Sequence, residues 1–292
     1  MGTFELKAYG PMSGQRVVIT GSTSGIGYEA ARSLSAAGAD VVLVSRTSSR
    51  TMTAAETISA ESGHAVETCI ADFSSLDQVR AAGHDLCNRF SRIDVFVNNA
   101  GAIYPDRQTT VDGFEMTWQV DHLAPFLLTN LLRPSLDAGR NPQVITISSD
   151  AHLAAWRGLR FADLNGERSW SPFGAYAAAK LANIMFSAEL ARRWGPSIRS
   201  NAVHPGLVQT GFGRSDDWHT RYNWSFTDVW SLSAAQGADT LVYLASSPDA
   251  AEASGAYFYK RRPKRPSRAA RDVGAQQRLW EVSADALGME SA

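Results

Sequence analysis

The sequence predicts an α/β fold: one doubly wound parallel β-sheet flanked by helices on both faces. Three observations carry this. Short apolar runs alternate with helical stretches along most of the chain, the βαβα order of open parallel sheets with right-handed crossovers. Several of the runs are too uniformly apolar to have a wet face, as befits strands covered on both sides. A glycine-rich turn follows the first run and opens the first helical stretch.

The strands expected in order are Arg16–Thr20, Val41–Ser45, Ala65–Ala71, Ile93–Asn98, Gln143–Ser148, Ile198–Val203 and Ala256–Tyr259, rich in Val, Ile and Phe. The helices between them are Ile26–Ala37, Thr53–Ser62, Leu76–Phe90, Phe114–Leu136, Ala175–Trp194 and Ala234–Ala245, with a last helix at Ala269–Leu287. Asp150–Gly174 and Gly211–Leu232 break the rhythm as long connections. The second holds Trp218, Tyr222, Trp224, Phe226 and Trp230. Long loops in compact domains are functional or disordered, and aromatic density argues against disorder. Ligands of open α/β sheets lie beyond the carboxyl ends of the strands, so both loops are expected to border the site.

Composition agrees with one domain. The 292 residues are 44% hydrophobic and 20% charged, enough chain for a large core without staples. No repeat or linker divides them, so residues 1–292 are read as a single domain with substrate loops at about 150–174 and 211–232. With 28 basic and 29 acidic residues, a net charge of -1 argues against nucleic acid as a whole-domain partner. The run Lys260–Arg271 carries seven basic residues and two prolines and is read as a solvated loop rather than an anionic-surface patch. Cys69 and Cys87 form neither a disulfide framework nor a metal cluster and are expected to be core thiols. No secretory signal or apolar run of membrane-spanning length is visible. The chain reads as soluble and cytoplasmic, and Asn223-Trp224-Ser225 is expected to stay unglycosylated. A homodimer is left open.

Thr20-Gly21-Ser22-Thr23-Ser24-Gly25-Ile26-Gly27 is the phosphate-binding candidate. Its glycines allow a tight turn and close backbone approach to a pyrophosphate, at the positive end of a helix. The second strand ends at Ser45-Arg46. An acidic residue there would bind a ribose 2′-hydroxyl, whereas a guanidinium suits a 2′-phosphate. NADP(H) is therefore favoured over NAD. Asp72, just after the third strand, either caps its turn or contacts the adenine.

Tyr176 and Lys180 stand at i and i+4, so they share a helix face. Only four of the 28 basic residues are lysines, and this one lies in an alanine-rich stretch. Free tyrosine, with a pKa near ~10, holds its proton too tightly for exchange at neutral pH. A neighbouring ammonium is expected to lower it. Ser148 and Ser149, at the end of the fifth strand, are candidates to orient the reacting oxygen.

On these residues, with Asn98-Asn99-Ala100-Gly101 and Pro205–Thr210 in the same order, the chain resembles the short-chain dehydrogenase/reductase family, a Rossmann-type fold, from about Gly14 to Leu287. Asp121–Leu128, Phe161–Trp170, Tyr176–Leu190 and the tail at Pro266-Ser267 and Leu279-Trp280-Glu281 are most similar to the retinol-dehydrogenase and protochlorophyllide-reductase branch. The resemblance implies roles. Tyr176 is the general acid/base, Lys180 lowers its pKa and holds the nicotinamide ribose, and Ser149 holds the substrate oxygen. Gly21, Ser22, Ser24, Gly25, Ile26, Gly27, Arg46, Asp72, Asn98, Ala100 and Thr210 line the cofactor, with Asn98 supporting the sheet and Thr210 at the nicotinamide end. One position departs: Asp121 stands where the family has its fourth catalytic residue, Asn. Ionised, it would hold Lys180 as a cation and oppose the phenolate. His122 beside it is read as a packed histidine. The expected reaction interconverts a ketone or aldehyde and an alcohol, with a bulky, mainly apolar small-molecule substrate walled by the aromatic loop. The rival reading, motivated by Asp121, is a non-catalytic NADP sensor.

Overall fold

The computed structural model describes residues 6–208 and 232–289. Among these, β1 (Arg16–Thr20), β2 (Asp40–Ser45), β3 (Glu67–Ile70), β4 (Val95–Asn98), β5 (Gln143–Ile147), β6 (Arg199–Val203), β7 (Tyr257–Tyr259) and β8 (Arg262–Pro263) form one sheet. Its order is β3-β2-β1-β4-β5-β6-β7-β8. Every pairing is parallel except the antiparallel β7–β8 edge. The chain reverses its direction of winding between β1 and β4, and such a switch point opens a crevice at the strands' carboxyl ends.

Alternation along each strand builds two apolar layers. Val17, Ile19, Leu43, Val95, Val97 and Ile145 face the helices α1 (Gly25–Ala36), α2 (Ser48–Ser62) and α8 (Ala234–Ser246). Val18, Val42, Val44, Phe96 and Val144 face α3 (Leu76–Arg89), α5 (Ala124–Leu131), α7 (Pro172–Trp194) and α9 (Val273–Ala286). With both sides covered, a strand has no use for polar alternation, so the apolar runs in the sequence marked the central strands, whereas the edge strand expected at Ala65–Ala71 is only Glu67–Ile70 and mostly unburied.

The boundaries differ where hydrogen bonds, not burial, decide them. Ile93 and Ile198 are fully buried, but their N–H groups go to Ser135 and Trp194 carbonyls rather than to a neighbouring strand. Helix α2 starts five residues before the expected Thr53, because its polar first turn is tied internally by Thr51 Oγ1 donating to the Thr47 carbonyl at 2.8 Å.

The expected helix Phe114–Leu136 is broken. It contains α4 (Met116–Trp118), a π-turn at Gln119–Leu123, α5, and α6 (Arg133–Asp137). The wide turn buries Gln119, Asp121 and His122 together, which a regular helix would turn to different sides. Pro125 and Pro134 stand in the first turns of α5 and α6. The expected helix Ala269–Leu287 likewise divides, into a 3₁₀ turn (Ala269–Arg271) and α9, where Asp272 caps the Ala275 N–H at 3.0 Å.

The basic run is corrected most. It is not simply a solvated loop: Lys260 and Arg261 adopt positive φ (49° and 61°) and reverse the chain into β8. This is the geometry of a two-residue hairpin turn, built here without the glycine or asparagine that would have announced it.

Candidate active site

Two strand ends tie the glycine-rich turn down. Thr20 Oγ1, at the end of β1, accepts the N–H groups of Asn99 and Ala100, both at 3.0 Å. Asn99 Nδ2 donates to the Thr20 and Gly21 carbonyls at 2.9 Å. Gly27 makes this possible: a Cβ there would lie 2.5 Å from Asn99 Nδ2 and 2.6 Å from the Gly21 oxygen. Thr20 and Asn99 lie within the motifs the sequence reading named, but it gave neither side chain a role of its own.

The turn fits a dinucleotide phosphate. Gly25 and Ile26 begin α1 half-buried, and exposed Ser24 precedes them without spending its side chain on a cap. The first N–H groups of α1 are therefore free of a side-chain acceptor from Ser24. Ser22 is buried, its N–H donates to Ser45 Oγ at 3.1 Å, and its own Oγ has no partner among the described residues. Arg46 is exposed directly after Ser45. Asp72 Oδ1 accepts from the Ser74 N–H and hydroxyl at 2.9 and 2.8 Å, capping its turn. Asn98 is buried, with Nδ2 donating to Thr129 Oγ1 at 2.9 Å and Oδ1 unpartnered. Thr210 lies outside the described residues.

The second cluster forms beyond β5. Adjacent serines at a strand end face opposite ways. Ser148 is buried and donates to the Lys180 carbonyl at 2.7 Å, which commits it to holding α7. Ser149 stays half-buried at the start of a 3₁₀ turn (Asp150–Ala155), accepting the Ala151 N–H at 3.1 Å. A side-chain hydrogen bond links Ser149 to Tyr176. One turn along α7, Lys180 Nζ lies 5.2 Å from the centre of the Tyr176 ring.

Lys180 also meets Asp121. Nζ is 2.9 Å from Oδ2, with both side chains buried, and Asp121 Oδ1 accepts the Ala102 N–H at 2.8 Å. The π-turn brings Asp121 there, and Gly101 leaves the space: a Cβ on it would stand 2.9 Å from Oδ2 and 3.1 Å from Nζ. Burial works against the Lys180 ammonium, yet Asp121 and Tyr176 hold its pKa above the ordinary lysine value. Burial also pushes the Asp121 carboxyl up, opposed by Lys180 and the Ala102 N–H.

Lys180 does pull the Tyr176 pKa down, as expected, but it does not decide the net direction. Burial is the larger effect and raises the Tyr176 pKa. Lys180 and the Ser149 hydrogen bond pull down, while Asp121 pushes up with burial. Tyr176 itself is half-buried. Tyr104, another residue that the sequence reading missed, feels the charges of both Asp121 and Arg46, and burial pushes its phenol up to about 12.

His122 is the packed histidine expected. Its Nε2 lies 2.9 Å from Ser283 Oγ, its ring rests 4.6 Å from that of Trp118, and burial presses its pKa down to about 3. The aromatic residues Trp218, Tyr222, Trp224, Phe226 and Trp230, and Asn223-Trp224-Ser225, lie outside the described residues. Cys69 is buried and Cys87 half-buried, both as free thiols. No described helix is long and apolar enough to cross a membrane.

Comparison with known proteins gives these clusters their context. A family model described as short chain dehydrogenase matches residues 15–219. The chain is 43% identical to a Streptomyces sp. (strain C5) protein provisionally named daunorubicin C-13 ketoreductase, over 96% of this chain and 95% of that one. It is 36% identical to human retinol dehydrogenase 13, over 95% of this chain and 86% of the relative. A short chain dehydrogenase from Burkholderia cenocepacia J2315, solved in complex with NADP, superposes with a TM-score of 0.68 at 25% identity, over 85% of this chain and 96% of that one.

Proposed function

This chain belongs to the short chain dehydrogenase family, in its retinol dehydrogenase-like branch, and on that premise we propose that it is an NADP(H)-dependent oxidoreductase interconverting a ketone or aldehyde and an alcohol on a bulky, mainly apolar substrate. The observation that carries this reading is the meeting of Ser149, Tyr176 and Lys180 beyond the carboxyl end of β5, beside the glycine-rich turn.

The backbone of Gly21 to Gly27 holds the pyrophosphate, and Arg46 pairs with the 2′-phosphate. Asn98 and Ala100 support the cofactor from the end of β4, Asp72 stiffens the turn beside it, and Thr210 completes the nicotinamide end. When bound, the nicotinamide supplies or accepts a hydride at the carbonyl carbon. The Ser149 hydroxyl orients the substrate oxygen. Tyr176 delivers a proton to that oxygen in reduction and withdraws it in oxidation. Lys180 holds the nicotinamide ribose and stabilises the phenolate charge. Asp121 keeps Lys180 protonated and fixes its direction. All of this takes place in one domain spanning residues 1–292, and a reducing, cytoplasmic setting suits its free thiols.

The substrate class draws on the mouth of the site. Leu153, Trp156, Phe173 and Leu207 are 46–66% exposed, which is unusual for large apolar side chains. All four are near neighbours in sequence of Ser149, Tyr176 or the turn after β6. Ligand pockets are mostly apolar with a few orienting polar groups. Val208 bridges Leu232, so the described residues that flank 209–231 meet beside this mouth. Two of the similar proteins are named for daunorubicin and for retinol. The test is NADPH oxidation with daunorubicin, retinal, a steroid ketone and propanal. Large apolar carbonyls should be reduced with much higher kcat/KM than propanal. Tight NADPH binding with no carbonyl reduced would instead favour the sensor reading, which the Asp121–Lys180 pair keeps in view.

A further inference from the structure

Behind Ser149 lies a polar cluster that the reaction, as described, does not use. Asp150, the next residue, receives three donors from three elements. Lys264 Nζ, just past β8, lies 2.5 Å from Oδ2, and His204 Nε2, after β6, lies 3.3 Å from it. The Tyr257 hydroxyl, on β7, donates to Oδ1 at 3.0 Å. Both members of the Asp150–Lys264 pair are about one-third exposed, so water does not fully screen them. Tyr257 is buried.

The same cluster fixes the backbone on either side. His152 Nδ1–H donates to the Ser149 carbonyl at 2.8 Å, and its Nε2 accepts the Ser267 N–H at 3.2 Å. The second bond sets the tautomer that makes the first. His204 packs on the Tyr259 ring, 4.9 Å between centres, and its Nδ1 accepts the Gly206 N–H at 3.4 Å. Asp150 thus joins Ser149, the turn leading to Leu207, and the β7–β8 hairpin.

We propose that the Asp150–Lys264 pair positions Ser149 for the reaction, so that Lys264 is a positioning residue and part of the basic run serves the site. The pair holds the hairpin against the end of β5, which leaves Ser149 Oγ at a fixed reach from Tyr176. Without the Lys264 ammonium, the Asp150 carboxylate gains by turning toward water, and the serine before it loses its anchor. Reactions that depend on orientation respond steeply to small displacements of this kind. The hydrogen bonds of Lys264 and Asp150 lie away from the glycine-rich turn, so the phosphate-binding part of the cofactor site, which carries most of its charge-based affinity, should change little. The proposal rests on the reading of Ser149 as the residue that orients substrate.

The experiment compares the wild type with Asp150→Asn, Lys264→Met, the double variant, Lys264→Arg and Ser149→Ala, as full chains. It measures kcat, KM, NADPH affinity and Tm, using whichever carbonyl of the panel above is reduced fastest. Asp150→Asn and Lys264→Met should each lower kcat about tenfold while NADPH affinity stays within about threefold. The double variant should be no worse than the poorer single, as for residues acting through one contact. Lys264→Arg, which keeps the charge, should recover most of kcat. Single variants within about twofold of wild type, or losses that multiply in the double variant, would overturn the proposal. So would a kcat loss that Lys264→Arg leaves unrepaired. Full turnover in Ser149→Ala would defeat the underlying reading of the site. A crippled Ser149→Ala beside unaffected Lys264→Met would defeat only the clamp.

Discussion

Asp121 and Lys180 form a buried ion pair, Oδ2 to Nζ at 2.9 Å, with the side chains 0% and 3% exposed. Oδ2 has no hydrogen-bonding partner elsewhere among the described residues. A carboxylate therefore stands one residue contact from the proposed proton donor, and its charge raises the Tyr176 pKa along with burial.

Asp121→Asn keeps an acceptor for the Ala102 N–H but removes that charge. The Tyr176 pKa then falls. Oxidation needs the phenolate, so the acidic limb of its pH–rate profile should move to lower pH, with turnover near neutrality kept or raised. The Lys180 ammonium loses its counter-charge, and breaking a buried pair costs about 3–5 kcal/mol, so Tm should fall. A limb that stays put would mean that Tyr176 does not feel Asp121. Lost turnover in folded enzyme would give Asp121 a role of its own.

Arg46 decides the cofactor. Arg46→Ala should weaken NADPH binding by about 1.5–3 kcal/mol, the scale of a hydrogen bond to a charged group, while NADH binding changes little. Titration with both cofactors checks this, and equal losses for the two would remove the 2′-phosphate assignment.

His122 sets a pH window for stability. Its pKa is about 3 in the fold against 6.5 for an ordinary histidine. Between those values the unfolded chain binds a proton that the native chain refuses. Stability is therefore fully present above pH 6.5 and drains away as pH falls toward 3, by up to about 1.4 kcal/mol per pH unit. His122→Asn should lower stability at pH 7 yet flatten its slope from pH 6.5 to 4, as followed by denaturant melts. Parallel slopes for the two proteins would count against a neutral buried histidine.

Much of this was legible in the sequence, and the reasons differ by feature. β1, β2 and β4 stood out because a strand covered on both faces must be apolar throughout. The glycine turn and the Tyr176–Lys180 pair were visible because each is local, eight residues and five. The role of Asn99 was not, since its bonds to Thr20 and Gly21 cross from β4 to β1 over 79 and 78 residues. The Asp150–Lys264 contact spans 114 residues, and a lysine within a run of arginines looks like solvent-facing charge until its partner is known. The π-turn was hidden for another reason: Val120 to Phe126 has helical composition, and the bulge reveals itself only through Asp121 and His122 both being buried. Ser149 rather than Ser148 was named through the family resemblance, because the twist at the end of β5 that turns one serine to the site is not encoded in composition. The downward pull of Lys180 on Tyr176 was legible because the two stand four residues apart, and the larger upward push of burial was not, because it depends on the fold.

The central claim is that Tyr176 moves the proton while the rest of the site binds cofactor. Its most direct test is Tyr176→Phe, with single-turnover carbonyl reduction and NADPH titration on the same preparation. NADPH should bind as in the wild type, and the rate should fall about 10²–10⁴-fold, the usual contribution of general acid–base catalysis. A Tyr176→Phe enzyme that binds NADPH and reduces its carbonyl at the wild-type rate would contradict the account.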